Sequence, residues 1–210
     1  MSLHISDLLA QWYPHRDEGD WVLGTIIATS GPVYRKLGAM MLFGDRGQQL
    51  GLLSGGCLEA DIAINARRVA SFGQPRVITY DGSDEDDVAY QLGIGCGGSI
   101  DVLLQQVNQA NDYLGLEQLH DALLQRRDSV HCQRLPPVDE SIGFTADSMA
   151  ALPVGLGSDA EPGVPGTHTV GYANWFLQPV RPAPALFVAG GGIDAIPVAR
   201  IALTLGWHVT

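Results

Sequence analysis

Two cysteines in this sequence stand among glycines, and their surroundings suit the binding of an anion or a soft metal. The first lies in residues 54–59, Ser-Gly-Gly-Cys-Leu-Glu, and the second in residues 95–99, Gly-Cys-Gly-Gly-Ser. Because glycine has no side chain, such a backbone can approach a ligand closely. The sequence becomes helical after Cys57, which predicts a thiol at a helix N-terminus. Partial positive charge there favours the thiolate and binds anions.

The alternative interpretation of the two cysteine motifs is structural. In it, each Gly-Gly pair forms a tight turn, and Cys57 and Cys96 are buried as small hydrophobic side chains. The presence of two such motifs in one domain favours the ligand-binding interpretation. Glu59, in the first turn of the predicted helix, is interpreted as a capping partner and not as a catalyst.

The elements that must position these motifs are predicted to form a layered N-terminal α/β domain. Its first 107 residues alternate helical and strand patterns. The expected elements are a helix at 3–13, a buried strand at 21–29, a hairpin over 39–53, a helix at 58–72 and strands at 76–80 and 100–104. A further helix is expected at 112–126, followed by short strands at 129–133 and 169–172.

A third glycine motif follows a short apolar run near the end of the sequence. Gly190, Gly192 and Ala195 fit G-x-G-x-x-G/A, after a strand predicted at 185–189 and before a helix predicted at 194–205. This is the context of a dinucleotide or phosphate turn. Two strands and one helix do not complete a doubly wound sheet, so we expect a Rossmann-like domain that is truncated in this chain.

A run of prolines predicts the domain boundary. Residues 179–184, Pro-Val-Arg-Pro-Ala-Pro, are expected to form a stiff linker. The predicted organisation is therefore an N-terminal domain at 1–178, with a core at 1–107 and an extension at 108–178, and the start of the Rossmann-like domain at 185–210.

Composition limits the classes of partner. The 210 residues include 12 basic and 23 acidic side chains, for a formal net charge of −11, which argues against nucleic-acid binding through phosphate neutralisation. No apolar run is long enough to span a bilayer, and the N-terminus lacks the pattern of a signal peptide. We therefore expect a cytoplasmic protein with no membrane partner, whose three cysteines are reduced.

The motifs together carry a family resemblance. Residues 29–40, Thr-Ser-Gly-Pro-Val-Tyr-Arg-Lys-Leu-Gly-Ala-Met, followed by the two cysteine motifs, resemble the XdhC/CoxI family. The proline linker and the turn at 190–197 resemble the C-terminal Rossmann half of that family. The resemblance covers most of the chain and is weakest over 108–168.

The resemblance implies a chaperone rather than a turnover enzyme. Such a protein binds the molybdenum cofactor (molybdopterin with its metal), supports its sulfuration with a cysteine desulfurase, and delivers it to an apo-enzyme of the xanthine or carbon monoxide dehydrogenase type. The resemblance implies Cys57 and Cys96 as molybdenum ligands and Arg35 as a phosphate contact. The implied cofactor-binding residues are Cys57, Cys96, Gly55, Gly56, Gly97, Gly98 and Arg35.

Two other functions stay open at this point. One is an NAD(P)-linked oxidoreductase that uses the Gly190 turn; it needs a ribose-binding acidic or basic residue, which the sequence does not show. The other is a scaffold without chemistry, in which the cysteines are only buried. An incomplete Rossmann half would expose apolar surface, so a homo-oligomer is also expected.

Overall fold

The structure is a computed structural model that describes residues 4–84, 97–137, 164–170 and 173–210. Cys96 and most of the loop at 153–166 lie outside the described residues. In chain order the elements are α1 (Ile5–Trp12), β1 (Trp21–Ser30), β2 (Met40–Gly44), β3 (Gln49–Gly51), α2 (Glu59–Phe72), β4 (Arg76–Asp81), β5 (Ser99–Val107), α3 (Leu116–Leu124), β6 (Ser129–Arg134), β7 (Gly166–Val170), β8 (Ala173–Val180), β9 (Ala185–Leu186), α4 (Ala195–Thr204) and β10 (His208–Val209). Within these ranges no helix has the length and apolarity needed to cross a membrane.

The centre of the N-terminal domain is a five-stranded sheet in the order β3-β2-β1-β5-β4. All of its strand pairs are antiparallel. The predicted mixture of helices and sheets is confirmed, and the hairpin predicted over 39–53 is formed by β2 and β3.

Helices cover both faces of this sheet, and the alternation of side chains along β1 explains why. Trp21 and Leu23 enter a cluster with α1 and α3 on one face. Val22 and Ile26 enter a second cluster with the apolar side of α2 on the other face. Successive strand residues point to opposite faces, so β1, whose first six residues are all buried, needs cover on both.

A second, three-stranded antiparallel sheet has the order β6-β8-β7. Buried amides connect it to the first sheet: Gln133 Nε2 donates to Gln105 Oε1 at 2.9 Å, and Gln105 Nε2 donates to the carbonyl of Arg134 at 2.9 Å. Strand β8 runs through Pro179 to Val180, whose side chain is in the first core cluster. The strand therefore takes the first two residues of the predicted linker.

The helix predicted at 112–126 begins later than expected. Asp112, Tyr113 and Leu114 have left-handed φ values of 51°, 49° and 55°, and α3 starts only at Leu116. The Tyr113 hydroxyl donates to Asp17, and its ring packs edge-on against Trp12 with 5.9 Å between centroids. These tertiary contacts hold a backbone conformation that helical periodicity does not reveal.

Residues 185–210 form a strand–turn–helix–strand unit in which β9 and β10 pair in parallel. The strand predicted at 185–189 is limited to Ala185–Leu186. The glycine turn follows it, and α4 starts at Ala195. The order of elements predicted for this segment is thus the order observed.

Candidate functional site

The first cysteine loop is folded over the start of α2 by the hydroxyl of Ser54. Ser54 Oγ accepts hydrogen bonds from the backbone N–H of Gly56 at 3.2 Å and of Leu58 at 3.1 Å. Leu58 is the N-cap residue of α2, and its N–H has no partner within the helix. This arrangement sets the course of the loop that carries Cys57.

A buried carboxylate anchors the same loop from the helix side. Glu59, the first residue of α2, is 7% exposed. Its Oε1 accepts the backbone N–H groups of Ser54 at 2.7 Å and Leu53 at 3.1 Å, and its Oε2 accepts the Ser54 hydroxyl at 2.5 Å. Glu59 is therefore a structural partner of the loop. It accepts N–H groups that precede α2 and not those of the helix start, so its role differs from the capping role expected from the sequence.

Cys57 lies two residues before α2, and its side chain is partly exposed. Its sulfur is 3.8 Å from Ser54 Oγ. Beside it, Gly56 has a φ of 107°, and a Cβ added there would meet nothing within 4 Å among the described residues. Within the described part of the chain, no other group covers the backbone next to the thiol.

The aromatic ring of Tyr34 borders the cysteine loop. A Cβ built on Gly55 would lie 3.6 Å from Tyr34 Cδ2, and the Tyr34 side chain is 67% exposed. Sequence reasoning did not select Tyr34 as a site residue. The signal in the sequence that could have indicated it is its position directly before Arg35, in the run Gly-Pro-Val-Tyr-Arg.

The second cysteine motif contacts the same segment as the first. Cys96 is outside the described residues, but Gly97 and Gly98 are within them. A Cβ on Gly98 would lie 2.3 Å from the carbonyl oxygen of Pro32 and 2.8 Å from that of Ser30. The segment from Ser30 to Tyr34 therefore touches Gly98 at one end and Gly55 at the other.

Arg35, the predicted phosphate partner, lines a cavity together with Tyr34. The cavity has a volume of about 420 Å³ and is lined in part by His4, Arg35, Lys36 and Gln178. It lies between the start of α1, the segment that leads into β2, and strand β8. Tyr34 lines this cavity as well as bordering the cysteine loop.

The third cysteine is separate from this arrangement. Cys132 is on β6, in the second sheet, and burial raises the pKa of its thiol. A raised pKa keeps the sulfur protonated, and a protonated thiol is a poor nucleophile and metal ligand. Cys132 therefore suits packing within the second sheet better than ligand binding.

Comparison with known proteins identifies a family that this chain resembles. Residues 15–81 match the sequence profile of the XdhC and CoxI family. The matched range contains the Ser30–Tyr34 segment, the Cys57 loop and all of α2. Over this range the chain is similar to the XdhC and CoxI family.

The curated relatives that this chain matches are longer than it is. It is 30% identical over 199 residues to a probable xanthine dehydrogenase subunit of Bacillus subtilis (strain 168), a match over 92% of this chain and 59% of the relative. It is 30% identical over 186 residues to the molybdenum cofactor insertion chaperone PaoD of Escherichia coli (strain K12), over 89% of this chain and 50% of the relative. The chain thus spans about half of these relatives.

A solved structure has the same fold. The crystal structure of a xanthine dehydrogenase from Bacillus halodurans superposes on all of this chain and on 61% of its own, with a TM-score of 0.72 and 30% sequence identity. The XdhC and CoxI family resemblance predicted from the motifs is therefore confirmed.

Proposed function

We propose that this chain is an accessory factor of molybdenum hydroxylases that carries the molybdenum cofactor as cargo. In this proposal it acts in the cytoplasm, binds the cofactor, supports its sulfuration together with a cysteine desulfurase, and delivers it to an apo-enzyme of the xanthine or carbon monoxide dehydrogenase type. The name of the Escherichia coli relative, a molybdenum cofactor insertion chaperone, supports the cargo. The name of the Bacillus subtilis relative supports xanthine dehydrogenase as the class of enzyme served.

The observation that carries the proposal is the contact of both cysteine loops with one segment. The side chain of Tyr34 borders Gly55, and the carbonyls of Ser30 and Pro32 abut Gly98. The described part of the second motif, Gly97 and Gly98, therefore lies beside the segment that also borders the Cys57 loop. Gly98 leaves no room for a side chain without displacement of the Pro32 carbonyl, so the close approach depends on glycine there.

The residues of this site match the chemical parts of the cargo. A partly exposed thiol suits a soft metal or a transferable sulfur. The open backbone at Gly56 lets a flat ligand approach, and the exposed ring of Tyr34 offers a surface on which a pterin can stack. Backbone N–H groups at a helix start favour anionic groups.

Transfer to an apo-enzyme tests the proposal. The full chain is purified from cells that make molybdenum cofactor and is mixed with molybdenum-free apo-xanthine dehydrogenase. We expect hydroxylase activity to appear only when the chain is present and to scale with its molybdenum content. The absence of activation, with cofactor bound to the chain, would reject delivery; the absence of bound cofactor would reject the cargo.

The Gly190 turn supports a second candidate, the binding of NAD(P), less well. The parallel β9–α4–β10 unit and the open space around Gly190 and Gly191 are favourable features. However, a Cβ on Gly192 would lie 2.6 Å from Asp194 Oδ1, so a carboxylate lies beside the glycine turn. That negative charge opposes an anionic ligand, and NAD(P) binding to this unit stays an alternative proposal that calorimetric titration with NAD and NADP would decide.

A further inference from the structure

The cavity beside Tyr34 is distinct from the cysteine loop. It has a volume of about 420 Å³, and its lining includes the cationic side chains of Arg35 and Lys36. These stand out because the whole chain has a net charge of −11. A local pair of cations in an acidic protein attracts a small anion by Coulomb interaction over a short range.

His4 and Asp7 are the other titratable side chains at the α1 end of the cavity. His4 caps α1 by accepting the Ser6 N–H at its Nδ1, 3.2 Å away. Burial lowers the pKa of His4, and the charge of Asp7 raises it by less, so the ring is neutral near pH 7. Asp7 itself follows in the first turn of α1 and is the acidic residue closest in sequence to the cavity wall.

Two buried polar atoms in the lining have unmet hydrogen-bonding capacity. Arg35 Nε has no acceptor, and Gln178 Oε1 has no donor, within the part of the chain that the structure describes. Gln178 is fixed in place because its Nε2 donates to the carbonyl of Gly38 at 2.6 Å. An unpaired buried donor destabilises the site, so a ligand that supplies the missing acceptor is favoured.

We propose that this cavity is a binding site for a phosphate monoester group of a small molecule, with Arg35 and Lys36 as its cationic contacts. The guanidinium of Arg35 matches phosphate oxygens in geometry and charge. Gln178 Oε1 accepts a hydrogen bond from an N–H or O–H of the same ligand. The inference rests on the proposed function in one respect: Tyr34 borders both this cavity and the Cys57 loop, so the phosphate of a pterin stacked on Tyr34 would bind here.

The test measures phosphate binding directly and does not depend on cofactor loading. Isothermal titration of the full chain with inorganic phosphate is compared among the wild type, Arg35→Gln, Lys36→Gln and Arg76→Gln. Arg76 is exposed on β4, so Arg76→Gln is a control that removes the same charge at a position outside the cavity lining. We expect at least tenfold weaker binding in the two cavity variants and unchanged binding in the Arg76 variant.

The opposite results overturn the site. The site is rejected if the wild type does not bind inorganic phosphate. It is also rejected if Arg35→Gln, Lys36→Gln and Arg76→Gln bind phosphate with equal affinity. A further arm identifies the source of the phosphate. If chain purified with its cofactor no longer binds inorganic phosphate, the pterin phosphate occupies the cavity; if only ADP competes with phosphate, a nucleotide does. Phosphate binding with this pattern in a chain that never carries cofactor would keep the site and reject the proposed function.

Discussion

Ser54 and Glu59 together determine the shape of the Cys57 loop. The serine hydroxyl donates to the carboxylate and accepts two backbone N–H groups, so all of its hydrogen-bonding capacity is used. The carboxylate accepts three hydrogen bonds in a buried position. Neither residue touches the cargo in this account, yet both hold the residue that does.

Replacement of Glu59 by glutamine tests this anchoring role. The amide NH₂ group must face either two backbone N–H donors or a hydroxyl whose lone pairs are already in use. We expect Glu59→Gln to lower the free energy of unfolding by about 1–3 kcal/mol in urea denaturation. Glu18→Gln, which alters an exposed ion pair with His15, should change it by no more than about 0.5 kcal/mol. Equal effects would contradict the role of Glu59.

His131 makes stability depend on pH. It is buried, its Nε2 is 2.8 Å from the carbonyl of Leu114, and burial lowers the pKa of its ring below the usual 6.5. Below pH 6.5 the unfolded chain therefore binds a proton that the folded chain does not. The stability contributed by the neutral ring is complete above pH 6.5 and is lost as the pH falls toward the lowered value, by at most about 1.4 kcal/mol per pH unit.

Denaturation at several pH values tests this. Between pH 7 and pH 5 we expect the wild type to lose more stability than His131→Gln does. His208→Gln, which removes an exposed imidazole, should retain the wild-type slope. A His131→Gln slope identical to that of the wild type would show that this ring is not responsible.

At the level of elements, the approach of the two glycine loops depends on one missing side chain. Gly98→Ala would place a carbon 2.3 Å from the Pro32 carbonyl oxygen, a backbone atom that cannot rotate away. We expect this variant to separate the two loops and to bind at least tenfold less molybdenum cofactor. Gly115, at the start of α3, has a φ of 74° and no atom of the described residues within 4 Å of an added Cβ. Asn tolerates that backbone conformation, so Gly115→Asn should bind nearly as much cofactor as the wild type.

The outcome is measured as molybdenum per chain after purification under identical conditions. Circular dichroism confirms that both variants are folded. If Gly98→Ala retains full cofactor content, the packing of Gly98 on Ser30 and Pro32 does not form the site.

The sequence predicted the elements around the site because their signals are local. The apolar run of β1, the helical spacing after Cys57 and the glycine motifs each lie within a few consecutive residues. The left-handed turn at Asp112 could not be predicted, since contacts of Tyr113 with Asp17 and Trp12, about 100 residues away in the chain, hold it. The cavity around Arg35 could not be predicted either, because Gln178, which lines it from β8, is far from Arg35 in the sequence.

At the scale of the whole molecule, the unit at 185–210 exposes large apolar side chains. Phe187, Ile193 and Ile201 are 75%, 88% and 62% exposed. The homo-oligomer predicted from the sequence is consistent with this surface and remains a prediction. Multi-angle light scattering should give a mass above that of one chain, and Ile201→Glu should shift the mass toward the monomer. A monomeric wild type would exclude self-association.

The most direct test of the central claim is the molybdenum content of Cys57 variants. Wild type, Cys57→Ala and Cys132→Ala are produced in the same cofactor-making cells, and molybdenum per chain is measured by mass spectrometry, together with the fluorescence of the oxidised pterin. If the Cys57 loop holds the cargo, Cys57→Ala carries at least tenfold less of both, whereas Cys132→Ala equals the wild type. Equal molybdenum and pterin in Cys57→Ala and the wild type would contradict the account.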